Sequence, residues 1–183
     1  TTSDGARGDA AYFLCANRGK HSIAVDLTTP EGAAIIRALV AHCDIVVGNY
    51  KPGDLARRGL DYDDLAPLRP GLIWCSITGF GRTGADADRA GYDFLVQAEG
   101  GVMSLTGDPD GPPMKVGVGI ADVMCGMYAA TGILAALHHR DRTGQGQRVD
   151  VALYDAQLAW LINGATNMLV SGKAPRRLGN RHP

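Results

Sequence analysis

Asp122 heads a stretch, GVGIADVMCGMYAATGILAALHH, that carries no charge from Val123 to Leu137. A carboxylate at a helix start can satisfy exposed amide donors and complement the helix dipole. It can instead act as a nucleophile or acid/base if it faces open space. Gly126, one turn later, leaves the space above Asp122 without a side chain, and HHRDR places cations near the far end of the segment. Asp155 in VALYDAQLAWL is the rival carboxylate, but it follows a strand directly and reads as a plain cap. GNYKPGDLARRGL is the second chemical stretch. Asn49 ends an apolar run, the position where open α/β sheets place their ligand crevice, and Lys51, Arg57 and Arg58 follow closely. Such a cluster suits an anionic ligand such as a nucleotide phosphate, with Arg57 able to make bidentate contacts. Lys20 is placed to join the same basic rim; solvated charges on a short surface helix are the other reading. GFGRTG (Gly79–Gly84) has the formal spacing of a dinucleotide fingerprint, yet polar ADADRAG follows it with no helical periodicity. Without a helix N-terminus to meet the pyrophosphate, it is a glycine-rich connection.

The elements that must hold these residues alternate. SIAVDL (Ser22–Leu27) alternates like a strand. Thr29, Pro30 and Glu31 then open a helix through AAIIRALVAHC as N-cap, first helical residue and first-turn acid. DIVVGNY (Asp44–Tyr50) and GLIWCSITG (Gly71–Gly79) are short apolar runs typical of buried parallel strands. DLARRGL and DYDDLAPL read as short helices, a further helix runs from about Tyr92 to Glu99, and the long helix follows Asp122 until TGQGQ ends it. RVDVAL is a fourth strand and YDAQLAWLINGATNML one more helix. The long helix is apolar on all faces, which predicts a central position. Strands alternating with helices indicate an α/β protein with a doubly wound parallel sheet. No internal repeat or linker divides it, so one domain, or the greater part of one, is expected.

The 183 residues are 45% hydrophobic and 20% charged with a formal net charge of -1, a globular α/β profile. Near-neutrality argues against a nucleic-acid partner, and no apolar run is read as approaching the ~20 residues of a membrane span. Cys15, Cys43, Cys75 and Cys125 are widely spaced and give no metal-binding pattern; buried reduced thiols in a cytoplasmic or mitochondrial matrix protein are expected. The polar ends, TTSDGARGD and RRLGNRHP, read as breaks between elements, and the chain as an internal segment of a longer protein.

Six stretches in order, NRGKHSIAVDLTTPEG, DIVVGNYKPGDLARRGLDYDDL, ITGFGRTG, RAGYDFLVQAEGGVMSLTG, GPPMKVGVGIADVMCGMYAATGILAAL and RTGQGQRVDVALYDAQLA, together resemble the class III CoA-transferase family over almost the whole chain. That family includes formyl-CoA transferase, succinyl-CoA-dependent dicarboxylate transferases and the related α-methylacyl-CoA racemases. The resemblance implies a Rossmann-like large domain, present here in part over residues 1–183, a smaller second domain, and two chains interlocked as a homodimer. It implies coenzyme A, carried as acyl-CoA, and a small carboxylic acid as partners, with no metal. Asp122 matches the nucleophilic aspartate, which forms an acyl anhydride and then an aspartyl-CoA thioester. Asn49, Tyr50, Lys51 and Arg57 match CoA-contacting positions, Val25 and Asp26 match a strand end near the nucleotide, and Lys20 and Tyr92 complete the expected CoA site. Racemases carry a histidine where this chain has Tyr92, and a phenol is a poor base at neutral pH. Transfer is therefore favoured over the alternatives, a 2-methylacyl-CoA racemase or a non-catalytic CoA-binding relative.

Overall fold

The computed structural model describes residues 8–182. The opening residues 1–7 and Pro183, which belong to the polar ends noted above, lie outside the described residues. Helix α1 (Ala11–Asn17), not expected from the sequence, is exposed throughout. Ser22–Leu27 is not the expected strand. It carries no regular secondary structure up to a turn at Leu27 and joins no ladder. Alternation selects an extended backbone; a strand also needs a partner edge, and none of the described strands offers one here.

Helix α2 (Pro30–Val40) starts as its sequence dictates: Thr29 Oγ1 accepts from the Gly32 amide at 3.1 Å, with Pro30 at the first helical position. Strands β1 (Ile45–Gly48), β2 (Ile73–Thr78) and β3 (Arg148–Ala152) form one parallel sheet in that order, with Val46 opposite Trp74 and Trp74 opposite Arg148. Between β1 and β2 lie two 3-10 turns (Ala56–Arg58 and Ala66–Leu68) with α3 (Tyr62–Leu65) between them. Helices α4 (Asp93–Glu99), α5 (Val102–Leu105) and α6 (Ile120–Thr143) lie between β2 and β3.

Strand alternation divides the core. Val46 and Trp74 pack with Val40, Leu60, Leu65 and Leu72. Ile77 and Val151, on the alternate positions, pack with Val96, Ala121, Cys125, Leu153 and Ala156. Burial of one such aliphatic side chain contributes about 1.5–3 kcal/mol, so both faces of the sheet are needed to hold the fold.

Helix α6 departs from expectation twice. It begins at Ile120 behind Gly119, so Asp122 is its third residue and not its N-cap. It is also not buried all round. Ala121, Cys125, Ala129 and Ala136 form its buried stripe, and Val123, Met127 and Leu134 are exposed. Small residues let the helix approach β2 and β3 closely; the large apolar residues lie on the faces left over. Its length, and a mean hydropathy of 1.7 over an 18-residue window, would by themselves suit a membrane span, because alanine and glycine add length without charge. That corrects the reading that no run comes near a span. The last expected helix is two: α7 (Leu153–Leu158), a turn at Ala159–Leu161, and α8 (Ile162–Ser171), with Ile162 at φ 40°. Periodicity runs straight through that break and gives no sign of it. Asp155 is the third residue of α7 and caps nothing; Ala152 holds the cap position. Cys75 and Cys125 are buried free thiols as expected, whereas Cys15 is exposed.

Candidate active site

The C-terminal ends of β1 and β2 and the start of α6 enclose a cavity of about 650 Å³. Asn49, Tyr50 and Lys51 enter it where the chain leaves β1. Across the strand ends, the glycine-rich connection folds back through an approach that only glycine permits. A Cβ on Gly79 would sit 2.5 Å from the Gly91 Cα, and one on Gly91 would sit 2.3 Å from the Gly79 Cα. This contact brings Tyr92 and Asp93 to the cavity wall. GFGRTG itself makes turns, and no helix begins until Asp93, which bears out its reading as a connection.

The connection is held at two further points. Arg89 lies 4.4 Å above the Phe80 ring and pairs with Glu99 at 2.6 Å and Asp86 at 3.2 Å. Arg82 donates to Asp61 at 2.7 Å, and Arg148 from β3 reaches the other oxygen of the same carboxylate at 3.1 Å. Burial works against the Asp61 charge. The Tyr62 amide, with Arg82 and Arg148, outweighs it and holds the carboxyl below the usual range.

The first turn of α6 forms part of the cavity wall. Asp122 opens into the cavity, and a Cβ added at Gly126 would meet nothing within 4 Å; the space above the carboxylate is open, as the sequence suggested. Partial burial, with the negative charge of Asp93 as a second cause, raises the Asp122 carboxyl above its ordinary value. The Cys125 thiol beside it is pushed up to about 11 by burial, with Asp122 and Cys75 adding to the effect, so it stays protonated and unreactive. Asp93 caps α6 from outside: its Oδ1 accepts from the amides of Ala121 at 2.7 Å and Asp122 at 3.3 Å.

Of the residues singled out in the sequence, Asp122, Asn49, Tyr50, Lys51 and Tyr92 share this cavity. Arg57, Lys20, Val25 and Asp26 are not part of its wall. Arg57 is ion-paired with Asp54 and its side chain is 68% exposed. Lys20 Nζ donates to the Ala16 carbonyl at 2.6 Å. Val25 is half-buried in the unpaired segment before the turn at Leu27. The Asp26 carboxylate accepts from the hydroxyl and amide of Thr28, which hold its carboxyl low. Asp155 lines a separate groove beside β3. Asp93, Arg89 and Cys125 were missed. An acid opening a helix four residues before Gln97 was the available signal for Asp93; nothing local marked its partner helix. Among the described residues no group of three or more His, Cys, Asp or Glu is placed to hold a metal.

A carboxylate facing a cavity at the C-terminal edge of a parallel sheet defines a class of site, and comparison with known proteins gives the family. The sequence profile of CoA-transferase family III matches residues 1–183, and the chain belongs to that family. It is 54% identical over 182 residues to the succinate–glutarate CoA-transferase of Agrobacterium fabrum, covering 100% of this chain and 46% of that protein. The acetyl-CoA:oxalate CoA-transferase of Acetobacter aceti is 43% identical over 94% of this chain and 44% of its own length. The crystal structure of a CaiB/BaiF family protein from Brucella suis superposes with a TM-score of 0.91 at 53% identity, covering 95% of this chain and 46% of that one. The chain thus spans about half the length of the relatives it matches.

Proposed function

We propose that the protein is a CoA-transferase in which Asp122 carries the acyl and CoA groups in turn. The observation that carries this reading is the position of Asp122: on the α6 turn, open to the cavity over Gly126, facing the same space as Asn49, Tyr50 and Lys51. In the reaction, a carboxylate oxygen of Asp122 attacks the acyl-CoA carbonyl and expels CoA thiolate, leaving a mixed anhydride. The thiolate attacks the aspartyl carbonyl, releasing the donor acid and leaving an aspartyl-CoA thioester. The acceptor carboxylate displaces CoA thiolate from that thioester, and the thiolate then attacks the acceptor's own carbonyl, restoring Asp122. Every bond formed stays activated for the next exchange, which suits a carboxylate better than an alcohol or amine nucleophile.

Succinyl-CoA and a dicarboxylic acid of glutarate size are the proposed substrates, supported by the names of the similar transferases. A Rossmann-like large domain within an interlocked cytoplasmic homodimer is the proposed setting. Lys51 carries the phosphate end of CoA, since Arg89 is already neutralised by its two acids. Tyr92 contributes a phenol where a racemase needs an imidazole base, so α-proton exchange is absent.

Incubating the full-length protein with succinyl-CoA and no acceptor tests the proposal. A CoA adduct is expected on the peptide containing Asp122, and Asp122→Ala is expected to lose both adduct and turnover. An adduct on Asp155, or wild-type turnover by Asp122→Ala, would reject it. Deuterium entering the α-carbon of a 2-methylacyl-CoA in heavy water at a rate near turnover would favour the racemase instead.

A further inference from the structure

Gly119 precedes α6 and has no side chain with which to cap it. The cap comes from a different helix. Asp93 Oδ1 accepts from the Ala121 and Asp122 amides, while its Oδ2 accepts from Gln97 Nε2 at 2.6 Å. Gln97 is fully buried, and its Oε1 accepts from the Val116 amide at 2.8 Å. One carboxylate and one amide therefore join α4, the loop leading into α6, and the backbone of Asp122 itself. A buried side-chain network satisfied at this many points holds a single geometry.

We propose that Asp93, braced by Gln97, is the positioning residue of the transfer site: it fixes the backbone of Asp122 so that the carboxylate meets the acyl carbonyl, and it places a second negative charge beside that carboxylate. The inference rests on Asp122 being the nucleophile. The N-terminus of α6 would otherwise attract an anion, and Asp93 occupies the two amides nearest Asp122. Several other groups share the surroundings. Cys125 follows on α6 with Cys75 behind it on β2, Lys51 and Tyr50 come from the segment after β1, Arg89 and Tyr92 from the loop before α4, and the Tyr12 hydroxyl from α1 lies beside Gly119. Burial first and Asp93 second decide the direction for Asp122, which is upward.

Two variants of the full-length protein separate geometry from charge. Asp93→Ala removes the accepting oxygens and the charge, whereas Asp93→Asn keeps one accepting oxygen for the α6 amides while it removes the charge and the acceptor that Gln97 uses. The readout is the rate at which succinyl-CoA labels the Asp122 peptide in a single turnover, measured across pH beside the dissociation constant for CoA. Asp93→Ala is expected to label roughly 10- to 100-fold more slowly, the scale of a small misplacement, with CoA affinity near wild type. Asp93→Asn is expected to recover most of the rate, with its acid limb at lower pH than wild type, because the neighbouring negative charge is gone. If circular dichroism shows that Asp93→Ala does not fold, the acid limb of Asp93→Asn decides. Labelling by Asp93→Ala at the wild-type rate, or an unmoved limb in Asp93→Asn, overturns the positioning role alone. Labelling of a residue other than Asp122 in the wild type overturns the nucleophile assignment and this inference with it.

Discussion

Asp122 sits where a carboxylate is uncomfortable: open to the cavity but partly desolvated by its wall, one turn from a thiol and beside a second acid. That discomfort has a stability consequence with a definite sign. A carboxyl raised in the folded state adds stability below its unfolded value of about 3.9 and loses it as pH rises through the folded value. At neutral pH the ionised group is a liability, so Asp122→Asn is expected to melt above wild type near pH 7, and the difference to vanish near pH 3. Thermal denaturation at the two pH values checks it; an equal or lower melting temperature at neutral pH would contradict it. Among the cations that the sequence joined in one rim, one lines the cavity and one does not. Lys51 faces the cavity, whereas Arg57 is exposed and already paired. Lys51→Ala is expected to weaken CoA binding by about 1.5–3 kcal/mol, the scale of a hydrogen bond to a charged group. Arg57→Ala is expected to cost less than about 1 kcal/mol, as exposed pairs do. Most of the Lys51 loss belongs in the KM for acyl-CoA, since the contact exists in ground and transition states alike. Isothermal titration with CoA distinguishes the pair, and a larger loss at Arg57 would restore the original reading of the rim.

Between elements, the glycine-rich connection depends on the sheet for its shape. The Asp61 side chain is 9% exposed and receives Arg82 from the connection and Arg148 from β3. Ser76 of β2 accepts from Trp74 Nε1 at 3.0 Å in the same layer. Removing Asp61 would leave two partly buried guanidinium groups with only their longer contacts, Arg82 to Asp150 and Arg148 to Asp63, each at 3.6 Å, which is costlier than the net worth of either pair. Asp61→Ala is expected to destabilise by about 3 kcal/mol in urea denaturation, the low end for a buried ion pair because both arginines retain some exposure. Its carboxyl is held low in the folded state, so its contribution is complete above about pH 3.9 and lost as pH falls through the folded value. Asp61→Asn should accordingly flatten the acid limb of stability without altering its neutral plateau slope. A loss below about 0.5 kcal/mol for Asp61→Ala would mean the network is surface decoration.

Over the whole molecule, large apolar side chains remain in water. Leu169 is 85% exposed and Val170 83%, and Ile162, Leu134, Met127 and Phe13 are exposed on α8, α6 and α1. Apolar surface on this scale marks places where other chain packs. The 183-residue chain expressed by itself is therefore expected to bind a hydrophobic dye and self-associate by light scattering; a monodisperse, dye-negative monomer would contradict this. The same surface shows where sequence reading reached its limit. Thr29–Pro30–Glu31, the apolar runs at Ile45 and Ile73, and Gly144 at the end of α6 fixed their elements locally, because caps, turn glycines and strand periodicity act over a few residues. The candidate nucleophile and the segment after β1 were legible for the same reason, and their resemblance to one family followed from six such stretches in order. Four things were decided only by tertiary structure: the unpaired state of Ser22–Leu27, the start of α6 at Ile120, the exposure of most of that helix, and the fact that Lys51 lines the cavity while Arg57 does not. Each depends on a partner distant in the chain: a strand edge, a capping carboxylate 28 residues away from Ala121, a sheet that accepts only small side chains, a cavity wall. Local chemistry specifies what a segment can do, and the atoms packed against it select which of those things it does.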